Sequence, residues 1–225
     1  MYKLAIFDFD GTLVDSAPGI VEVMKEVVEE YNFSNETLEL WSHLIGVPLK
    51  RQTQILFPDH PDEFHEEVTN RYRDIYDTKA LEICPLFPGL EEMLQELSKA
   101  EIIITIASSK RRHLIDYVLE HHSLTHYFKM VVGAAEVTRH KPDPESVHIT
   151  MEKLGIGPEH TVVIGDSSFD LEMARAAGVD AIGVTTGIHT REHLSKSEPA
   201  FIVSGLNEVK ELILAGKVKK VPNQN

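Results

Sequence analysis

The chain has 225 residues, 42% of them apolar and 26% charged, a globular composition with room for one large domain or a core carrying a smaller insert. A formal net charge of −14 disfavours non-specific attraction to nucleic acid or anionic membrane, so an anionic ligand must be drawn in by a local positive site. Cys84 stands alone, which excludes an intrachain disulfide; the first residues show no secretory h-region, and no apolar run reaches bilayer length. The expected setting is cytoplasmic, with no membrane or nucleic-acid partner, as a monomer or homodimer. The basic run "KVKK" at residues 217–220 reads as a solvated tail. The scattered histidines, including the one in "HEEVTNRYRDIYD" and the His121–His122 pair, lack metal-ligand spacing and read as surface residues.

In chain order, "YKLAIFDF" reads as a buried strand. Residues 16–83 then show helical spacing and no convincing strand, in "GIVEVMKEVVEEY", "ETLELWSHLI", "LKRQTQILF" and "DEFHEEVTNRYRDIYDTKAL". Pro85 and Pro88 punctuate the return to another pattern. "IIITIAS", "KMVVG", "HTVVIGD", "DAIGV" and "AFIVS" read as short strands, separated or followed by amphipathic helices, two of them closed by Gly155 and Gly178. Strands alternating with helices indicate parallel βαβ units. The expected fold is α/β, a Rossmann-like doubly wound parallel sheet. Residues 1–14 and 84–225 form its core, and residues 15–83 form an inserted α-helical cap domain.

Ligands of such sheets collect at the carboxyl ends of the strands. Four polar clusters fall at those ends: Asp8/Asp10, Ser108–Ser109–Lys110, Lys141 in "RHKPDP", and Asp166/Asp170 in "VVIGDSSFD". Asp8 and Asp10 alone would suit a polar turn, and Asp170 alone a helix start. Brought to one rim, the four carboxylates require a cation among them, and oxygen donors at a partly hydrated site suit Mg²⁺. A hard cation, an ammonium and a serine hydroxyl around a carboxylate make a phosphoryl-transfer site. Residues i and i+2 of a strand project to one side, so one of the first pair can attack phosphorus while the other lies near the leaving oxygen. Gly11 permits an unusual turn there, and Thr12 can hydrogen-bond to hold the loop and is counted among the candidate substrate-binding residues.

"DFDGTLVDS", the end of "IIITIASSK", "KPDP" and "GDSSFDLEMARAAG" resemble, in order, the four motifs of the haloacid dehalogenase superfamily, and the helical insert resembles its C1 cap. The resemblance implies that Asp8 is the nucleophile and a Mg²⁺ ligand. It makes Asp10 the general acid and then base, with its backbone carbonyl on the metal. Ser108 and the Ser109 N–H bind the phosphoryl group, Lys141 neutralises it and orients Asp8, and Asp166 and Asp170 hold the metal. Dehalogenating members lack the second aspartate of the first motif, so Asp10 points to phosphate chemistry.

"LIGVPLKRQ" matches a stretch that faces the active site in related capped phosphatases, which makes Lys50 and Arg51 candidates to grip an anionic leaving group. The related sugar-phosphate mutases carry an arginine where this chain has Leu49, and many carry an acidic residue where it has Gly165. Both departures argue against a mutase. "KPDPESVHITMEKLG" and "GIHTREHLSKSEPAFIVSGLNEV" resemble the phosphoglycolate-phosphatase-like subgroup and related bacterial pyrophosphatases. The expected activity is Mg²⁺-dependent hydrolysis of a small phosphorylated metabolite, 2-phosphoglycolate first, with pyrophosphate and sugar phosphates as alternatives. A receiver domain would be about half this length without the insert, and a silent phospho-ligand binder would have lost Asp8, Asp10 or Lys141.

Overall fold

The computed structural model describes residues 1–82 and 84–216. The basic run at residues 217–220, and residue 83, where the expected insert ends, lie outside the described residues.

After β1 (Leu4–Phe7) come four helices, α1 (Ala17–Glu30), α2 (Asn35–Ser42), α3 (Leu49–Leu56) and α4 (Asp62–Lys79). The alternating part follows as α5 (Leu90–Lys99), β2 (Ile103–Ala107), α6 (Arg112–His121), β3 (Phe128–Val132), α7 (Glu145–Leu154), β4 (Thr161–Gly165), α8 (Ser168–Ala176), β5 (Asp180–Val184), α9 (Arg191–Ser195), β6 (Phe201–Val203) and α10 (Leu206–Ala215). All strand pairs are parallel, in the order β3-β2-β1-β4-β5-β6, the doubly wound arrangement.

Period-two alternation in β1 sends side chains to both faces of the sheet. Ala5 and Phe7 join one apolar cluster, while Leu4 and Ile6 join a second with Val147, Val163 and Leu171. The first cluster continues without a break into the insert, through Leu13, Met24, Trp41 and Tyr72. Helix α1 turns Ile20, Val23, Met24, Val27 and Val28 inward at helical spacing, after a proline in its first turn. Trp41 is fully buried and donates its indole N–H to Gln52 Oε1 at 2.7 Å, which ties α2 to α3.

His65 departs from the surface reading of the histidines. It is buried, and its Nε2 lies 2.8 Å from the Phe57 carbonyl oxygen, because the inward face of α4 reaches it. Phe7 pairs with Ile106 on one side and Ile164 on the other. That register brings the segments after β1, β2 and β4 out at a single edge, at the switch point of the sheet.

Candidate active site

Asp8, Ser108 and Asp166 leave the carboxyl ends of the three central strands, and Asp8 N–H donates to the Ile164 carbonyl at 2.8 Å. Lys141 arrives on the loop between β3 and α7, preceding a cis peptide bond to Pro142. Its Nζ lies 2.6 Å from Asp8 Oδ1 and 2.6 Å from Asp170 Oδ1. Asp170 sits in the first turn of α8, where its other oxygen accepts the Ser167 hydroxyl at 2.6 Å. Thr12 Oγ1 donates to Asp166 Oδ1 at 3.2 Å.

Burial decides the charge states. It pushes Asp8 up to about 7, with Lys141 opposing the rise and Asp170 and Asp10 adding to it. Asp166 is raised well above the ordinary carboxylate value, first by burial and then by Asp8 and Asp170. Burial alone would lower Lys141, but Asp170 and Asp8 outweigh it and hold the ammonium charged.

Asp8, Asp166 and Asp170 each offer a carboxylate oxygen within 4.8 Å of the others. Three such oxygens against one ammonium form a donor set that fits a hard divalent cation. Backbone shape keeps this cluster tight. Gly11 has φ +77°, and a Cβ there would stand 2.6 Å from Asp166 Oδ2. Thr186, in the loop after β5, donates its hydroxyl to the Gly11 carbonyl at 2.6 Å, closing the cluster from the other side. The sequence offered no signal for that second contact.

The Asp10 carboxylate stands apart from the metal-type cluster. Lys110 Nζ lies 2.8 and 3.0 Å from its two oxygens, touches the Tyr76 hydroxyl, and sits over the Tyr76 ring at 4.4 Å. Asp8, Asp10, Ser108, Ser109, Lys141, Asp166 and Asp170 all line one cavity of about 480 Å³ between the sheet edge and α1–α4. Ser109 Oγ also donates to the Gly46 carbonyl of the insert at 3.1 Å.

Three expected substrate contacts are placed elsewhere or already engaged. Thr12 is fully buried beneath the cluster and does not line the cavity. Arg51 points out from α3 and bonds Gln54 at 3.4 Å. Lys50 reaches the cavity wall, but its ammonium is held by Asp62 at 2.9 Å and Glu66 at 2.5 Å, because α3 packs beside α4. Among the insert residues that line the cavity, Tyr76 and Arg73 of α4 were not among the expected contacts. Tyr72 and Tyr76 share helical spacing, but nothing in the sequence marks Arg73 for the cavity.

Carboxylates and two nearly water-excluded lysines, Lys141 and Lys110, gathered at the switch point of a doubly wound sheet, place this chain among hydrolytic enzymes of the α/β class. It belongs to the haloacid dehalogenase-like hydrolase family, whose model matches residues 5–184. A Dickeya dadantii (strain 3937) protein named "Probable phosphatase IndB" is 36% identical over 212 residues, covering 93% of this chain and 92% of the relative. A phosphoglycolate phosphatase of Vibrio vulnificus is 29% identical, covering 94% and 96%. A solved structure of a haloacid dehalogenase-like hydrolase from Bacteroides fragilis superposes with TM-score 0.87 at 33% identity, covering 93% of this chain and 100% of that one. Among the described residues, no helix is long and apolar enough to cross a membrane.

Proposed function

We propose that the chain is a cytoplasmic Mg²⁺-dependent phosphatase acting on a small phosphorylated metabolite through an aspartyl-phosphate on Asp8, with 2-phosphoglycolate as the first candidate. The observation that carries this reading is the Asp8–Lys141–Asp170 contact, both links at 2.6 Å, on the wall of a cavity shared with Asp10 and Ser108.

An Asp8 oxygen attacks phosphorus, the bond from phosphorus to the leaving oxygen breaks, and Asp10 delivers a proton to that oxygen. Water then attacks the phosphorus of the acyl phosphate, giving its proton to Asp10 and freeing the Asp8 carboxylate. Lys141 neutralises the transferring group, and the Ser108 hydroxyl donates to it. Asp8, Asp166, Asp170 and the Asp10 carbonyl would hold Mg²⁺, which supplies charge neutralisation to the phosphoryl oxygens when bound. In this reading α1–α4, within residues 15–83, act as a cap that limits water at the cavity.

The phosphatase is favoured over a mutase by Gly165, since a Cβ there would stand 2.3 Å from Asp170 Cβ and leave no room for an acidic side chain. Hydrolysis of p-nitrophenyl phosphate with MgCl₂ tests the proposal. Asp8→Asn is expected to lose about 10³-fold or more in turnover while keeping its circular dichroism spectrum. Near-parental turnover in that variant would remove Asp8 as nucleophile.

A further inference from the structure

We propose that Arg73 selects the leaving group, and that the alcohol it selects bears a carboxylate on an apolar body larger than the two carbons of glycolate. The inference rests on the phosphatase reading above, keeps its chemistry, and sets a larger leaving group against 2-phosphoglycolate, its first candidate.

The cavity is larger than a phosphoryl group needs. Its volume of about 480 Å³ falls within the ~300–1,000 Å³ of sites for drug-sized ligands. The phosphoryl group would occupy only the end at Asp8 and Lys141. The remaining walls include Ile20 and Met24 of α1, Ile45 and Val47 of the turn between α2 and α3, Leu49 of α3 and Leu114 of α6. A glycolate group would leave the partly exposed Val47 and Leu49 facing water, whereas an apolar body would cover them and lie against the buried Ile20, Met24, Ile45 and Leu114. Pyrophosphate, polar throughout, fits them worse still.

The cations on that cavity differ in whether a carboxylate holds them. Lys141 is engaged by Asp8 and Asp170, and Lys110 by Asp10. Lys50 is engaged by Asp62 and Glu66, and Arg111 by Asp77. Arg73 differs. It lines the same cavity half-buried, donates to Asn70 Oδ1 at 3.1 Å, and has no carboxylate at ion-pair distance among the described residues. Its acidic neighbours, Asp77 and Glu66, are those already neutralised by Arg111 and Lys50. Burial and the nearby Arg111 charge both lower its pKa, so an added anion would be welcome there. A planar guanidinium presents paired donors that match a carboxylate, and a single cation balances a single negative charge.

The test uses the full chain with MgCl₂ and three esters of primary alcohols: benzyl phosphate, 3-carboxybenzyl phosphate and 2-phosphoglycolate. The expected result is a kcat/KM for 3-carboxybenzyl phosphate about tenfold above benzyl phosphate, carried mainly by KM, and above 2-phosphoglycolate as well. In Arg73→Met the ratio between the two benzyl esters is expected to fall to about one, and in Arg73→Lys to lie between. Taking the ratio within one variant cancels any loss from misfolding. A ratio near one in the parent, or a ratio unchanged in Arg73→Met, overturns selection by Arg73. A higher kcat/KM for 2-phosphoglycolate overturns the larger apolar body. Turnover of p-nitrophenyl phosphate without discrimination sinks this inference alone, whereas no turnover of any ester sinks the phosphatase reading with it.

Discussion

The Lys141 ammonium lies 2.6 Å from the Asp8 carboxylate, joining residues 133 positions apart in sequence, and each side chain is nearly excluded from water. Removing one partner of a buried pair leaves the other charge uncompensated, at a cost of about 3–5 kcal/mol. Lys141→Met is therefore expected to unfold at lower urea concentration than the parent in EDTA, and to recover much of that loss in MgCl₂. Equal stability of variant and parent in EDTA would mean that Lys141 does not compensate the acidic cluster.

The same burial gives the metal-free protein a pH dependence of known sign. Asp8 is raised from 3.8 to about 7, so between those limits the folded state holds a proton that the unfolded chain has released. Stability from this group is present at low pH and is lost as pH rises toward 7, by at most ~1.4 kcal/mol per unit. Asp166, raised first by burial, adds to the same slope. Thermal midpoints in EDTA from pH 4.5 to 8 should fall across this window, and Asp8→Asn should flatten the fall. A midpoint slope unaffected by Asp8→Asn would refute the assignment.

The sheet was legible because its strands are short β-branched runs bounded by glycine, proline and serine, and because a parallel sheet sends every chemically active loop to one edge. Asp8, Asp10, Ser108, Lys141, Asp166 and Asp170 could be collected that way before any coordinates, since topology alone places strand ends. The insert was less legible. Lys50 and Arg51 looked like cavity cations, but which way an exposed helical cation turns depends on its neighbour, and α4 supplies Asp62 and Glu66 to hold Lys50. Arg73 carries no motif; only the packing of α4 against the core shows it on the cavity wall. Thr12 followed the loop-holding reading rather than the substrate-binding one, because its hydroxyl is spent on Asp166 below the surface.

Lys110 grips both oxygens of Asp10 and meets Tyr76 of α4, so a core lysine and an insert tyrosine together fix where the Asp10 carboxyl points. Proton delivery matters most when the leaving group is a poor one. Lys110→Met is expected to cut turnover of benzyl phosphate about 100-fold and that of p-nitrophenyl phosphate far less, because p-nitrophenolate departs without a proton. Equal losses on both esters would show that Lys110 acts on binding or folding rather than through Asp10.

Glu145 organises the loop that delivers Lys141. Its carboxylate accepts the Thr138 and Arg139 backbone N–H groups at 2.9 and 2.7 Å, and the Thr138 hydroxyl at 2.9 Å. The Thr138 backbone bond leads the effects that bring its pKa down from 4.5 to about 2. The ionised form is thus the one the loop needs; its contribution is complete above pH 4.5 and is lost as pH falls toward 2. At neutral pH, Glu145→Ala frees two backbone donors and loosens the approach of Lys141 to Asp8. The expected outcome is a fall of about tenfold in kcat, with a smaller change in KM. Glu145→Gln keeps one carbonyl acceptor and should fall less. A kcat equal to the parent in both variants would show that Lys141 is held by Asp8 and Asp170 without help from its loop.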